Sequence, residues 1–177
     1  MTMLETIAVA FSMFSAIPMP QFLWNEKNMR YALCAFPLIG AVIVAICWGA
    51  WSLCGLLGLP NLLRGAILTL IPVLVTGGIH LDGYSDTCDA LASHASQEKK
   101  LEILKDPHVG SFAVIRICSY FVITLALWSA LKSFPWAAVL LGFCMSRTLS
   151  GLAVASFPLA KNTGLAHTFA QAADQKR

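Results

Sequence analysis

A chain of 177 residues that is 58% hydrophobic and only 12% charged departs from an average soluble domain, in which roughly a quarter of residues are charged. A mean hydropathy of +0.72 excludes a disordered or collagen-like polymer. With 12 Lys plus Arg against 9 Asp plus Glu, the net charge of +3 is too mild for a basic nucleic-acid-binding domain; nucleic acid is not an expected partner, and a lipid bilayer is.

Residues 6–24 are apolar but punctuated by Ser12, Ser15, Pro18 and Pro20, so the N-terminal segment 1–30 reads as interfacial or re-entrant rather than spanning. Glu5 and the lack of a basic stretch ahead of the apolar residues argue against a cleaved secretory leader. Residues 31–59 carry no charge and exceed the roughly 20 needed to cross the hydrocarbon core. A second run, 65–81, contains Pro72, which a membrane helix tolerates when neighbours satisfy the freed carbonyl. The third run, 109–131, is broken only by Arg116, and the fourth, 135–160, holds Arg147 near its middle. The predicted fold is all-α: one polytopic membrane bundle, with a cytoplasmic helical acidic loop at 82–108.

That loop carries six of the nine carboxylates (Asp82, Asp86, Asp89, Glu98, Glu102 and Asp106) together with Lys99, Lys100 and Lys105. Asp82, Asp86 and Asp89 stand at i, i+4 and i+7, on a helical stripe about 60° wide. Nothing between 81 and 93 supplies a cation, so a bound divalent ion is the simplest compensating charge. All-oxygen ligation suits Mg²⁺, with Mn²⁺ as substitute, and not zinc. On spacing alone, aspartates that merely solvate a loop remain the alternative. Gly77-Gly78 just upstream permits close backbone approach. Ser96 is the predicted N-cap of a helix 97–105 ended by Pro107, with Glu102 and Asp106 one turn apart near its end. Two short carboxylate-bearing helices could thus clamp one or two metals.

Of the histidines, His80 points away from the aspartate stripe if one continuous helix holds both, which leaves packing or hydrogen bonding open beside ligation. His108 lies near the carboxylate end, whereas His94 and His167 are expected to be exposed. Cys34, Cys47, Cys54, Cys118 and Cys144 fall in apolar stretches and read as small buried hydrophobes; no Cys-x-x-Cys pair suggests zinc. Arg116, two turns into its run, can snorkel. Arg147 is deeper, where an ionisable residue is a functional hypothesis by default; its expected partner is phosphate or an aspartate, with a structural ion pair as the alternative.

If residues 25–30 are cytoplasmic and each of the four runs crosses once, Lys27, Arg30, Lys99, Lys100, Lys105, Lys161, Lys176 and Arg177 fall inside and Arg64 and Lys132 outside. Eight cations against two places the acidic loop and the C-terminal tail on the cytoplasmic face.

Thr76-Gly-Gly-Ile-His-Leu-Asp-Gly-Tyr-Ser-Asp-Thr-Cys-Asp89, followed by Leu101-Glu-Ile-Leu-Lys-Asp106 and Gly110-Ser111, resembles the signature of the cobalamin synthase family, the adenosylcobinamide-GDP ribazoletransferases. Ser15-Ala-Ile-Pro-Met-Pro20, Phe36-Pro-Leu-Ile-Gly40, Ser146-Arg147 and Gly164-Leu165 are similar to further family segments, so the resemblance covers nearly the whole chain. Ala90 stands where the family usually has glycine, and Pro107-His108 replaces what is commonly a Ser-Arg pair. Family members typically continue through further membrane helices, so the chain is expected to lack their C-terminal part. The resemblance implies a multi-pass protein of the bacterial inner membrane with a cytoplasm-facing site. It also implies a magnesium-dependent reaction in which the 5′ hydroxyl of α-ribazole, or of its phosphate, attacks the cobinamide-linked phosphorus of adenosylcobinamide-GDP and expels GMP. Carried over, Asp82, Asp86 and Asp106 are metal ligands, Asp89 is ligand or general base, and Lys105, Arg147 and Lys161 contact phosphate, with His80 beside the substrate. A homo-oligomer is left open.

Two other classes compete. A CDP-alcohol phosphotransferase acting on lipid would carry an Ala-Arg pair shortly after Asp-Gly, where this chain has Ala90-Leu91-Ala92. A divalent-cation transporter would line its spans with charge, whereas these carboxylates cluster in one loop.

Overall fold

The computed structural model describes residues 3–20, 22, 29, 31–159 and 167–169. Among them the regular elements are α-helices: α1 Met3–Phe14, α2 Ala32–Leu56, α3 Asn61–Thr76, α4 Ile79–Ala92, α5 Gln97–Ile103, α6 Ser111–Ala130 and α7 Trp136–Ser156. At 25, 20 and 21 residues, α2, α6 and α7 are long and apolar enough to cross a membrane. Their lengths come to about 30–38 Å at the helical rise per residue. The chain therefore adopts the all-α membrane architecture that its composition predicts. It divides into two compact units, residues 1–48 with 135–177, and residues 49–134.

In the first unit, α1 is a 12-residue helix of about 18 Å, too short to cross the hydrocarbon core. Val9 and Ala10 bury against Met29, Ala32, Ala35 and Phe169, and the Phe14 ring stacks on Phe36 at 4.4 Å. Along α2 and α7, Trp48 meets Trp136 with ring centroids 5.3 Å apart, Gly40 faces the main chain of Phe143, and Gly151 faces Leu33 and Phe36. The sequence order of these contacts makes the two helices antiparallel. A Cβ on Gly40 would stand 2.7 Å from the Phe143 carbonyl oxygen, so the missing side chain is what lets the backbones approach.

In the second unit, α3 begins beside the end of α6. Arg64 Nη2 donates to the Leu131 carbonyl at 3.4 Å, and Gly65 packs against Ser129 and the Leu125 carbonyl. The Arg64 guanidinium also lies 3.8 Å over the Trp51 ring, whose neighbour Phe134 stacks on Trp128. An amphipathic aromatic cluster holding a cation is what a membrane interface favours, which accounts for an arginine at this end. The predicted span 65–81 is instead α3, ending at Thr76: Pro72 does not stop it, but Gly77 and Gly78 both adopt left-handed backbone, at φ 63 and 79, and turn the chain by 93° into α4. The far end of α4 reaches the start of α6, where Asp89 meets Gly110 and Ala113. Because α3 starts at one end of the roughly 30 Å α6 and α4 finishes at the other, the bent pair is one broken crossing and not a loop returning to its own side.

The acidic segment 82–108, expected to hold two short helices, does so as the end of α4 and as α5. Ser96 Oγ accepts from Lys99 N as the expected N-cap of α5. The helix stops at Ile103, two residues before the predicted end, because the Lys105 and Asp106 N–H groups turn back to the carbonyls of Glu102 and Ile103, three residues earlier. One expectation is corrected: Cys47 and Cys54 are buried and Cys144 half-buried, but Cys34 and Cys118 are exposed, since apolar helix faces in a membrane protein can meet lipid instead of protein.

Candidate functional site

Helix α4 carries Asp82, Asp86 and Asp89, as the stripe predicts, but their surroundings differ. Asp82 is exposed in the first turn, where the positive end of the helix dipole favours a carboxylate, and Asp86 is half-buried one turn later. Among the described residues neither carboxylate has a hydrogen-bond or ion-pair partner. Side chains at i and i+4 are neighbours on a helix, with Cβ atoms about 5–6 Å apart, so these two form an anionic pair with all four oxygens available.

Asp89 is committed elsewhere. Its Oδ2 accepts from Gly110 N at 2.7 Å and its Oδ1 from Ala113 N at 2.9 Å. These are orphan donors of the first turn of α6, whose N-cap Gly110 has no side chain to serve them. Each of these bonds, made to a charged acceptor from another helix, is worth about 1.5–3 kcal/mol before solvent screening. The sequence offered one signal for them: a helix opening at a glycine needs a side-chain acceptor from another element.

Asp106 also has local partners. Its Oδ1 accepts from His108 N at 2.9 Å and lies 2.6 Å from His108 Nδ1; the backbone bond first, then the ring, hold the carboxyl below its usual range. Glu102 pairs with Lys99 across 2.8 Å on the exposed face of α5; that hydrogen bond lowers the carboxyl pKa and raises the ammonium's. Among the described residues no group of three or more His, Cys, Asp or Glu side chains is placed to hold a metal, so Asp106 does not join Asp82 and Asp86 in one set.

His80 sits half-buried in the first turn of α4, on the same helix as the aspartates. The bend at Gly77-Gly78 lies upstream of both, so His80 keeps its phase opposite the stripe. Lys105 is exposed just past α5. Arg116 is exposed on α6, consistent with snorkelling. Arg147 is buried within the first unit near the middle of α7, its guanidinium 5.3 Å over the Phe143 ring. Lys161 lies outside the described residues.

The Asp82–Asp86 pair fits magnesium better than a full protein cage would. Mg²⁺ is commonly held by one or two carboxylates while waters and substrate phosphates complete its octahedron. Two carboxylates one turn apart, without a partner among the described residues, match that donor set.

The family described as cobalamin-5-phosphate synthase matches residues 6–177. An adenosylcobinamide-GDP ribazoletransferase of Lachnoclostridium phytofermentans is 48% identical over 177 residues, covering 100% of this chain and 68% of the relative. A protein of the same name from Clostridium botulinum strain Eklund 17B is 36% identical over 117 residues, 66% of this chain and 46% of that relative. One from Clostridium perfringens strain SM101 is 30% identical over 167 residues, 93% of this chain and 66% of the relative. The chain thus spans between about half and two thirds of these relatives' lengths. No solved structure matches it.

Proposed function

The chain belongs to the cobalamin-5-phosphate synthase family of transferases, and we propose that it carries the catalytic carboxylates for transfer of the adenosylcobinamide-phosphate group from adenosylcobinamide-GDP to a ribazole acceptor, with release of GMP. The observation that carries this reading is the Asp82–Asp86 pair, without a partner among the described residues, on a helix docked at the start of a membrane span. Phosphoryl transfer asks for charge neutralisation and positioning more than for covalent help. Asp82 and Asp86 would hold Mg²⁺, which when bound would neutralise diphosphate charge and polarise the phosphorus under attack. Lys105, exposed in the same unit as the two aspartates, is the candidate phosphate contact.

The bond that forms joins an acceptor hydroxyl oxygen to the cobinamide-linked phosphorus, and the bond that breaks frees GMP. An acceptor already phosphorylated at the 5′ position has no free 5′ hydroxyl, so with that acceptor the attacking group is another ribose hydroxyl. Because the matching family is described as a cobalamin-5-phosphate synthase, a name that implies an acceptor still carrying its 5′ phosphate, the 5′ expectation gives way to another ribose hydroxyl as the attacking group. The charge count supports a cytoplasm-facing site in the bacterial inner membrane, because four crossings put residues 93–110 on the side with the greater number of cations.

The test is GMP release by the purified protein with Mg²⁺ present or chelated. Asp82→Asn and Asp86→Asn should each lose activity about 100-fold or more, as loss of one anionic ligand does in a two-carboxylate site, while Glu98→Gln retains it. Equal damage from Glu98→Gln and Asp86→Asn would mean that general loop acidity matters and not the α4 pair.

A further inference from the structure

We propose that Asp89 is a positioning residue and not a metal ligand: its carboxylate clamps the end of α4 to the start of α6 and so sets the direction in which Asp82 and Asp86 point. The inference rests on the reading that those two aspartates hold the cation. Both Asp89 oxygens are already engaged, by Gly110 N and Ala113 N at 2.7 and 2.9 Å. The cradle is shaped to the carboxylate, since a Cβ on Gly110 would stand 2.6 Å from Asp89 Oδ1 and 2.7 Å from Cγ.

What makes the clamp matter is the other end of α4. There the helix is attached through Gly77-Gly78, with no side-chain cap at Gly78 and no atom within 4 Å of where a Gly78 Cβ would be. A helix whose upstream joint is two left-handed glycines, the second with open space around it, takes its rotation from what holds it further along. Asp89 does so by charge-assisted bonds to the positive end of α6. A third carboxylate on the stripe therefore orients the first two.

The test compares Asp89→Asn, Asp89→Ala, Gly110→Ala and Asp86→Asn in the detergent-purified chain. Three quantities are read: Mn²⁺ binding from the free-ion spin-resonance signal, amide hydrogen exchange at Gly110 and Ala113, and kcat and KM for GMP release. Asp89→Ala should speed exchange at both amides and lower kcat about ten-fold or more, leaving KM within about two-fold and Mn²⁺ affinity within about three-fold, because a displaced constellation loses rate before it loses binding. Asp89→Asn keeps one carbonyl acceptor and should fall between wild type and Asp89→Ala. Gly110→Ala, which removes no carboxylate, should reproduce Asp89→Ala.

Loss of Mn²⁺ binding by Asp89→Ala as complete as that by Asp86→Asn overturns the proposal, and so does unchanged exchange at Gly110 and Ala113. If Asp86→Asn binds Mn²⁺ as wild type does, the cation reading fails. The clamp is then judged separately, by exchange and by whether Gly110→Ala matches Asp89→Ala.

Discussion

Replacing Gly78 by alanine isolates the backbone's share in bending α3 into α4. Gly78 has φ 79 and ψ −6, and an added Cβ would meet no atom within 4 Å, so no packing change confuses the result. An L-residue in the left-handed region costs about 1–2 kcal/mol. The chain could escape that strain by straightening. Asp89 is 11 residues beyond Gly78, about 16 Å along the helix, and removing a 93° turn would swing it by roughly 24 Å. Straightening would therefore break two hydrogen bonds to a charged group, each worth about 1.5–3 kcal/mol before solvent screening. Keeping the bend costs less, so Gly78→Ala should stay bent and lose about 1–2 kcal/mol. For a chain of this size that corresponds to a fall of about 2–8 °C in melting temperature, measured in detergent.

The matched control is Gly83→Ala on the same helix, where an added Cβ also meets nothing within 4 Å. There alanine should be neutral or stabilising by about 0.5–1 kcal/mol, because glycine inside a helix carries an entropic penalty. Opposite signs for the two substitutions support the left-handed joint. If both shift the melting temperature upward, the bend is not held by these backbone angles and the reasoning fails.

Gly40→Ala should destabilise by about 1–3 kcal/mol, since its Cβ would press on the Phe143 main chain at 2.7 Å, whereas Gly49→Ala, with nothing within 4 Å, should not; equal melting temperatures would refute the close α2–α7 approach. In α5 and the turn after it, the depressed carboxyls Glu102 and Asp106 contribute stability that is present above the ordinary values of 4.5 and 3.8 and lost as pH falls through their lower folded values. The protection of amides in 97–108, taken relative to the unfolded chain at the same pH, should therefore fall on acidification through that range, and a flat protection profile would deny the contribution. Lys99 acts in the opposite sense, its share being lost as pH rises through a folded value above 10.5. In a background without native cysteines, Ser96→Cys should react with an impermeant thiol reagent from the cytoplasmic side only, and labelling from outside would refute the four-crossing orientation.

Composition and the lengths of the charge-free runs are sufficient to determine the fold class, because a bilayer allows only structures that satisfy their own backbone, and 20 or more apolar residues do so as a helix. The motif from Thr76 to Asp89 likewise identified the family and the helical stripe of aspartates, since i, i+4, i+7 spacing is a local property of a helix.

The tertiary structure alone decided how those aspartates divide their work. Periodicity says which residues share a face, but not what lies opposite that face. That Asp89 answers the unpaired N–H groups of a helix starting 22 residues later, while Asp82 and Asp86 have no partner among the described residues, depends on a chain turn of 93° and on a glycine at the receiving end. A hydrogen bond between distant elements is set by where the backbone brings them. The left-handed angles at Gly77 and Gly78 that decide this are permitted by glycine but not dictated by it.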